Sequence, residues 1–311
     1  MTEMPQTYRV GDATVTRIHE LALTGVDPAF LYPDADIDAL AEHRATLGPG
    51  ACDPATGHLN QSIHSWLVRT PHHVILVDTA TGNGKDLPAA PVLHRLNEPY
   101  LERLAAAGVA PEDVDVVLIT HLHADHVGWN TRAQGGRWVP TFPRARHIFS
   151  AIEQRYAAAL SEDAPVSAPD LPPPALGTPI RTPLPRVYEE SVLPVIEAGL
   201  AEAITVDGTE VLDGIFFHPT PGHSIDHASI RLVSRGQQAL FTGDVMHHPL
   251  QVYRPDLRSG YCEFPGPAEA SRRWVLEHAA ETGALCFSSH FPETAAGHIT
   301  RRGDRFAWQF A

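Results

Sequence analysis

The run His121-Leu122-His123-Ala124-Asp125-His126 sets three imidazoles and a carboxylate within six residues. Imidazole plus carboxylate is the ligand set expected for Zn²⁺ and similar first-row metals. On extended or turning backbone alternate side chains point the same way, so His121 and His123 can grip one ion together. Asp125 and His126, past the bend, can face a second position nearby. Chance assembly of four such residues at fixed positions is rare in a chain with 19 histidines among 311 residues, so coordination outweighs coincidence. Further donors are then required, and His223 (TPGH), Asp244 (TGD) and His290 (SSH) each lie just beyond an apolar run. Taken alone, each would be an ordinary polar loop residue. Behind the HxHxDH segment, the three read as the rest of a ligand set. A second histidine pair, His247-His248, either lines the pocket or lies on the surface.

The elements that must position these groups are layered α/β ones. Ala13–His19 and Ser62–Val68 alternate as half-buried strands, and His73–Asp78 (HVILVD) reads as a buried strand. Glu98–Ala107 is a helix stopped by Gly108, and Val114–Thr120 (VDVVLIT) is the strand that delivers His121. Ser161–Pro194 holds nine prolines, too many missing N–H donors for a regular element. It is expected to be a long excursion forming a lid or pocket wall, followed by a helix over Tyr188–Ala201 kinked at Pro194. Strands return at Gly214–His218, Ala228–Ser234 and Gln238–Thr242. A helix over Pro267–Thr282, a strand over Ala284–Ser288 and a hairpin of His298–Arg301 with Arg305–Phe310 complete the chain. Two sheets covered by helices are expected within one domain.

Composition narrows the function. Lys and Arg number 23 against 37 Asp and Glu, a formal charge of −14, which argues against gripping phosphate backbones or an anionic leaflet. At 43 % hydrophobic residues a sizeable core is within reach. Cys52, Cys262 and Cys286 show no CxxC spacing and read as reduced thiols. No basic-then-apolar leader and no run of about 18 apolar residues is visible, so the expectation is cytoplasmic. The partner expected is a small-molecule substrate, with neither nucleic acid nor membrane, and a homodimer is left open.

The order HxHxDH…PGH…GD…SSH resembles the metallo-β-lactamase-fold superfamily of binuclear metallohydrolases. Asp78-Thr79-Ala80-Thr81-Gly82 looks like that family's DTGxG turn, with Ala80 in place of the first glycine. Thr220–His227 (TPGHSIDH) is similar to the TPGHxxGH element of acyl-homoserine lactonases and methyl parathion hydrolase, with Asp226 in place of its glycine. The likeness covers about Ser62 to Arg301. It implies an αββα sandwich of two mixed sheets flanked by helices, making one domain over residues 1–311. An N-terminal extension (about 1–50) and the Pro-rich insertion (about 161–194) would be additions to it.

By that resemblance His121, His123 and His223 hold one metal, Asp125, His126 and His290 hold a second, and Asp244 bridges them. His227 would stand behind the ligands. Read from the residues themselves, Asp78 and His247 are candidates to support the ligands or line the pocket, and Tyr188 and Tyr253 are possible donors to a substrate oxygen. Two divalent cations are implied, zinc first, with manganese, cobalt or iron as alternatives. Such a pair lowers the pKa of a shared water and polarises a carbonyl or phosphoryl oxygen, with Asp125 orienting the nucleophile or passing its proton on. The reaction expected is lactone opening or carboxylic ester cleavage by the bridging hydroxide. Phosphotriester, other ester or thioester hydrolysis is the alternative. A nuclease lacks its basic arm here, and a non-catalytic binding protein would not retain every ligand.

Overall fold

The computed structural model describes residues 6–36, 43, 47, 50–161 and 176–311. Part of the expected N-terminal extension and the Pro172-Pro173-Pro174 triplet of the insertion therefore lie outside the described residues.

Sixteen strands are present among them. In chain order they are β1 (Thr7–Val10), β2 (Ala13–Val26), β3 (Leu59–Arg69), β4 (Val74–Val77) and β5 (Val116–Leu118). Then come β6 (Thr131–Gln134), β7 (Arg137–Pro140), β8 (Arg146–Ser150), β9 (Ala201–Ile204), β10 (Glu210–Leu212) and β11 (Ile215–Pro219). The last are β12 (Ala228–Ser234), β13 (Gln237–Gly243), β14 (Leu285–Ser288), β15 (Ala296–Arg302) and β16 (Arg305–Phe310). They form two seven-stranded sheets, β1-β2-β3-β4-β5-β8-β9 and β10 through β16 in sequential order, with β6 and β7 as a separate hairpin. Two mixed sheets with flanking helices are what the αββα expectation requires.

The chain divides into two compact units, one of Met1–Leu21, Ile63–Pro172 and Thr182–Val206, the other of Ala22–Ser62, Pro173–Arg181 and Asp207–Ala311. In the first, β4, β5, β8 and β9 run parallel. Parallel strands need a crossover and are covered on both faces, so their sequences are continuous apolar runs. Ile75, Leu76, Val116, Val117 and Ile148 are accordingly buried, and the helix Tyr100–Ala106 lies in the β4–β5 connection. In the second unit the sheet is antiparallel except for β13 and β14, which pair parallel. The helix Pro265–Thr282 makes that crossover, with proline in its first turn and Gly283 at φ +66° ending it. Phe241 and Phe287 stack at 5.1 Å between these neighbouring strands.

This topology sets where chemistry can sit. Asp78 follows β4 and His121 follows β5; Asp244 follows β13 and His290 follows β14. Each donor thus emerges at the carboxyl end of a parallel strand, where open α/β sheets present their ligand-binding loops.

One expected helix is corrected. Tyr188–Ala201 is not continuous: Tyr188–Val192 forms a widened turn in which Leu193 N–H reaches back to the Tyr188 carbonyl. A short helix, Leu193–Glu197, follows with Pro194 in its first turn, and β9 begins at Ala201. Pro194, lacking an N–H, starts a new helical segment instead of bending an old one.

Candidate metal centre

In the first unit the donors rise from a short helix, Ala124–Val127, that starts directly after His123. His121 and His126 are buried, while the Asp125 side chain is 21 % exposed. The His121 ring lies 4.5 Å from that of His123 and 4.1 Å from that of His126, centroid to centroid.

Asp78 orients two of these rings. Its Oδ1 accepts the Thr120 N–H at 2.8 Å, and its Oδ2 stands 2.9 Å from Thr120 Oγ1 and 2.8 Å from His126 Nδ1. A carboxylate only accepts, so His126 donates from Nδ1. Thr120 gives its single hydroxyl proton to Asp78, and its oxygen then accepts from His121 Nδ1 at 3.0 Å. Both imidazoles are thereby fixed in the tautomer whose Nε2 carries a lone pair, as a metal ligand requires.

The turn that carries Asp78 accommodates its alanine. Asp78 and Ala80 adopt φ of +57° and +46°, a conformation that costs a non-glycine residue about 1–2 kcal/mol. Glu20, a buried carboxylate on β2, offsets this by accepting N–H bonds from Thr81 (2.8 Å), Gly82 (2.9 Å) and the Trp129 indole (2.6 Å). Burial pushes the Glu20 carboxyl upward, and these donors pull it back. Gly128 packs against the same turn so closely that an added Cβ would lie 1.7 Å from the Thr81 oxygen. Glu20 and Gly128 had no signal in the sequence beyond their residue types.

In the second unit three imidazoles surround one oxygen. Asp244 Oδ2 lies 3.0 Å from His290 Nε2 and 3.3 Å from both His223 Nε2 and His247 Nε2. All four residues are buried. His227 stands behind them: its Nε2 accepts the Asp244 N–H at 2.9 Å, and its Nδ1 meets Thr220 Oγ1 at 2.9 Å. Gly222, at φ +126°, allows this loop to press on the Pro265–Thr282 helix, where a Cβ would come within 2.1 Å of Ala268 N.

The donor chemistry fits a cation. His290 Nδ1 faces the Ser62 carbonyl at 3.0 Å, and a carbonyl only accepts, so the ring proton sits on Nδ1. His290 Nε2 faces a carboxylate oxygen 3.0 Å away. With His223 Nε2 and His247 Nε2 directed at the same oxygen, imidazole and carboxylate converge on one buried spot, the donor set that divalent first-row metals prefer.

The remaining candidates divide. Of the histidine pair, His247 joins Asp244, whereas His248 turns away, its Nε2 donating to the Ala51 carbonyl at 2.8 Å. Burial holds His248 down at about 4 and also lowers His247, against the opposing pull of the Asp244 carboxylate. Tyr253 sends its hydroxyl to the Trp308 carbonyl at 3.2 Å and stacks on His43. Tyr188 is half-buried in the widened turn of the first unit. Cys262, unremarked as a ligand in the sequence, places Sγ 3.7 Å from His223 Nδ1. Burial pushes its thiol up to about 12.

Residues 60–290 match the family model of the metallo-beta-lactamase superfamily. Over 96 residues the chain is 35 % identical to ribonuclease Z of Mycobacterium avium (strain 104), a stretch that is 31 % of this chain and spans 27 % of that relative's length. Among solved structures, AidC, a dizinc quorum-quenching lactonase in complex with a product, superposes with a TM-score of 0.74 at 19 % identity, covering 99 % of this chain and 97 % of that one. The hydrolase AbOPH of the beta lactamase superfamily superposes with a TM-score of 0.77 at 22 % identity, covering 100 % and 98 %. A probable metal-dependent hydrolase from Staphylococcus aureus gives 0.71 at 17 % identity, covering 98 % and 99 %. At these identities the structures share the fold. Among the described residues no helix is long and apolar enough to cross a membrane.

Proposed function

The chain belongs to the metallo-β-lactamase superfamily, and on that premise we propose that it is a metal-dependent hydrolase that opens a lactone or cleaves a carboxylic ester at a binuclear centre. The observation that carries the reading is the convergence of His223, His247 and His290 Nε2 on Asp244 Oδ2, at 3.3, 3.3 and 3.0 Å. Imidazole with carboxylate is a donor set for a cation, and His223, His290 and Asp244 are positions of the family's ligand motif. In this reading His121, His123 and His223 would hold one cation, Asp125, His126 and His290 would hold the other, and Asp244 would contribute to both. Zinc is the first choice, in keeping with the dizinc lactonase of the same fold.

Two such cations supply Lewis-acid activation of water and of the substrate's acyl oxygen. The chain's own groups do the rest. Asp78 and Thr120 keep His121 and His126 as lone-pair donors, and the Ser62 carbonyl does the same for His290. His227 holds the Asp244 backbone in place through a neutral ring nitrogen. Asp125, the most exposed carboxylate of the set, orients the attacking water through one oxygen. It takes up the water's proton and hands it to the leaving alkoxide, which closes the proton balance of ester hydrolysis.

A small-molecule substrate, a single catalytic domain and a cytoplasmic setting go with this reading. The net charge of −14 sets it against nucleic acid, although the partial ribonuclease Z likeness makes phosphodiesters a necessary control. The test is a panel of lactones, aryl esters, thioesters, phosphotriesters and phosphodiesters, assayed with protein reconstituted in zinc, manganese or cobalt. Lactone or carboxylic ester turnover that disappears with a chelator and returns with metal is expected. Turnover confined to phosphodiesters would overturn the assignment.

A further inference from the structure

We propose that His223, His247 and Cys262 form a nitrogen–nitrogen–sulphur site that takes the first borderline-soft divalent cation the chain meets. The proposal shares only His223 with the binuclear reading and uses no residue of the HxHxDH segment.

The ligand atoms of these three side chains lie within 4.8 Å of one another, and all three residues are buried. Zinc ligands at about 2.0–2.1 Å (nitrogen) and about 2.3 Å (sulphur) in tetrahedral geometry stand about 3.6 Å apart. The observed His223 Nδ1 to Cys262 Sγ separation is 3.7 Å. The two atoms therefore stand at the spacing that a shared tetrahedral ion requires of them.

The backbone holds the three in place before any ion arrives. Glu263 N–H donates to the His223 carbonyl at 2.9 Å and Phe264 N–H to the Gly222 carbonyl at 2.8 Å, so the Cys262 segment is paired to the His223 loop. His247 is pinned at both of its peptide groups: its N–H donates to Gln251 Oε1, and its carbonyl accepts from Gln61 Nε2, each at 2.7 Å. Its ring packs between His223 (4.9 Å), His290 (5.7 Å) and Tyr261 (5.2 Å). The Nδ1 of this fully buried imidazole has no hydrogen-bond partner, a cost that metal coordination removes.

Thiolate with imidazole selects zinc, cobalt and copper over the hard cations. Formation of the sulphur–metal bond breaks the Cys262 S–H bond, and the proton leaves to solvent.

The experiment is a cobalt titration of the metal-free full chain, read by absorption and by elemental analysis. A sulphur-to-cobalt charge-transfer band in the near ultraviolet is expected to grow with the first equivalent. It should persist in the His121→Ala/His123→Ala variant, vanish in Cys262→Ser, and need at least tenfold more cobalt in His247→Ala. Two equivalents bound by the unaltered chain with no such band at any loading overturn this site while leaving the binuclear reading intact. A band that survives in Cys262→Ser also overturns it. One equivalent with the band, insensitive to His290→Ala, would sustain this site and remove the binuclear reading. The unaltered chain's spectrum decides the matter even where a variant fails to fold.

Discussion

Replacing Asp78 separates metal binding from stability, because its two oxygens serve different purposes. Asp78→Ala strands the Thr120 N–H, the Thr120 hydroxyl and the His126 Nδ1–H, all now held at 2.8–2.9 Å in buried surroundings. At about 1–3 kcal/mol for each unsatisfied buried donor, less partial relaxation, the loss is about 3–5 kcal/mol. Alanine at a φ of +57° adds about 1 kcal/mol. That is a large share of a stability of about 5–15 kcal/mol. Asp78→Asn is different. Its oxygen still accepts from Thr120 N–H, and asparagine tolerates the left-handed conformation well. Its amide, however, presents a donor to His126 Nδ1, which moves the ring proton to Nε2 and removes the ligand lone pair. The expected outcome is a stability loss of about 1–2 kcal/mol with a metal affinity lowered about 10–100-fold. Urea denaturation of the metal-free protein and competition with a chromophoric chelator measure the two quantities separately. An asparagine variant as unstable as the alanine one, with metal affinity unchanged, would refute the assignment of Asp78 as the group that sets the His126 tautomer.

Two further outcomes probe the scaffold. Lys85 is buried, with its ammonium over the Trp138 ring at 3.6 Å and bonded to Thr131 Oγ1 and the Glu190 carbonyl; burial pulls it from 10.5 to about 7. Between those values the unfolded chain binds the proton that the folded chain has released, so stability rises with pH across this window, by at most about 5 kcal/mol. Below about 7 the penalty is fully present. Lys85→Met should flatten that rise in denaturation curves taken from pH 7 to 10, and an unchanged slope would contradict the attribution. Gly128→Ala, whose Cβ would meet the Thr81 oxygen at 1.7 Å, should cost about 4 kcal/mol or prevent folding. Gly135→Ala has open space but a φ of +59° and should cost about 1 kcal/mol by the same assay; equal effects would show that crowding at Thr81 is not the cause.

Part of the candidate site was legible because its signal is local. HxHxDH needs only neighbouring residues and a strand before it, and β12 matches the expected Ala228–Ser234 because the apolar residues Ala228, Ile230 and Leu232 alternate with Ser229 and Arg231 in the sequence. The β6–β7 hairpin around Gly135-Gly136 went unread although its turn chemistry was present, since its strands have mostly exposed or half-buried residues and weak alternation. β8 and the helix Ala151–Ser161 follow one another without a break, leaving no loop composition to separate them. Groups that act across long sequence distances left no trace. Glu20 reaches a turn 61 residues away, and Cys262 meets His223 across 39. Adjacent His247 and His248 are indistinguishable as letters, yet one faces Asp244 and the other the Ala51 carbonyl.

The central claim is that seven imidazole and carboxylate side chains jointly hold a cation pair. Elemental analysis of zinc-saturated, dialysed protein tests it most directly: two equivalents per chain are predicted, falling to one in His290→Ala. One equivalent that is indifferent to that substitution would contradict the claim.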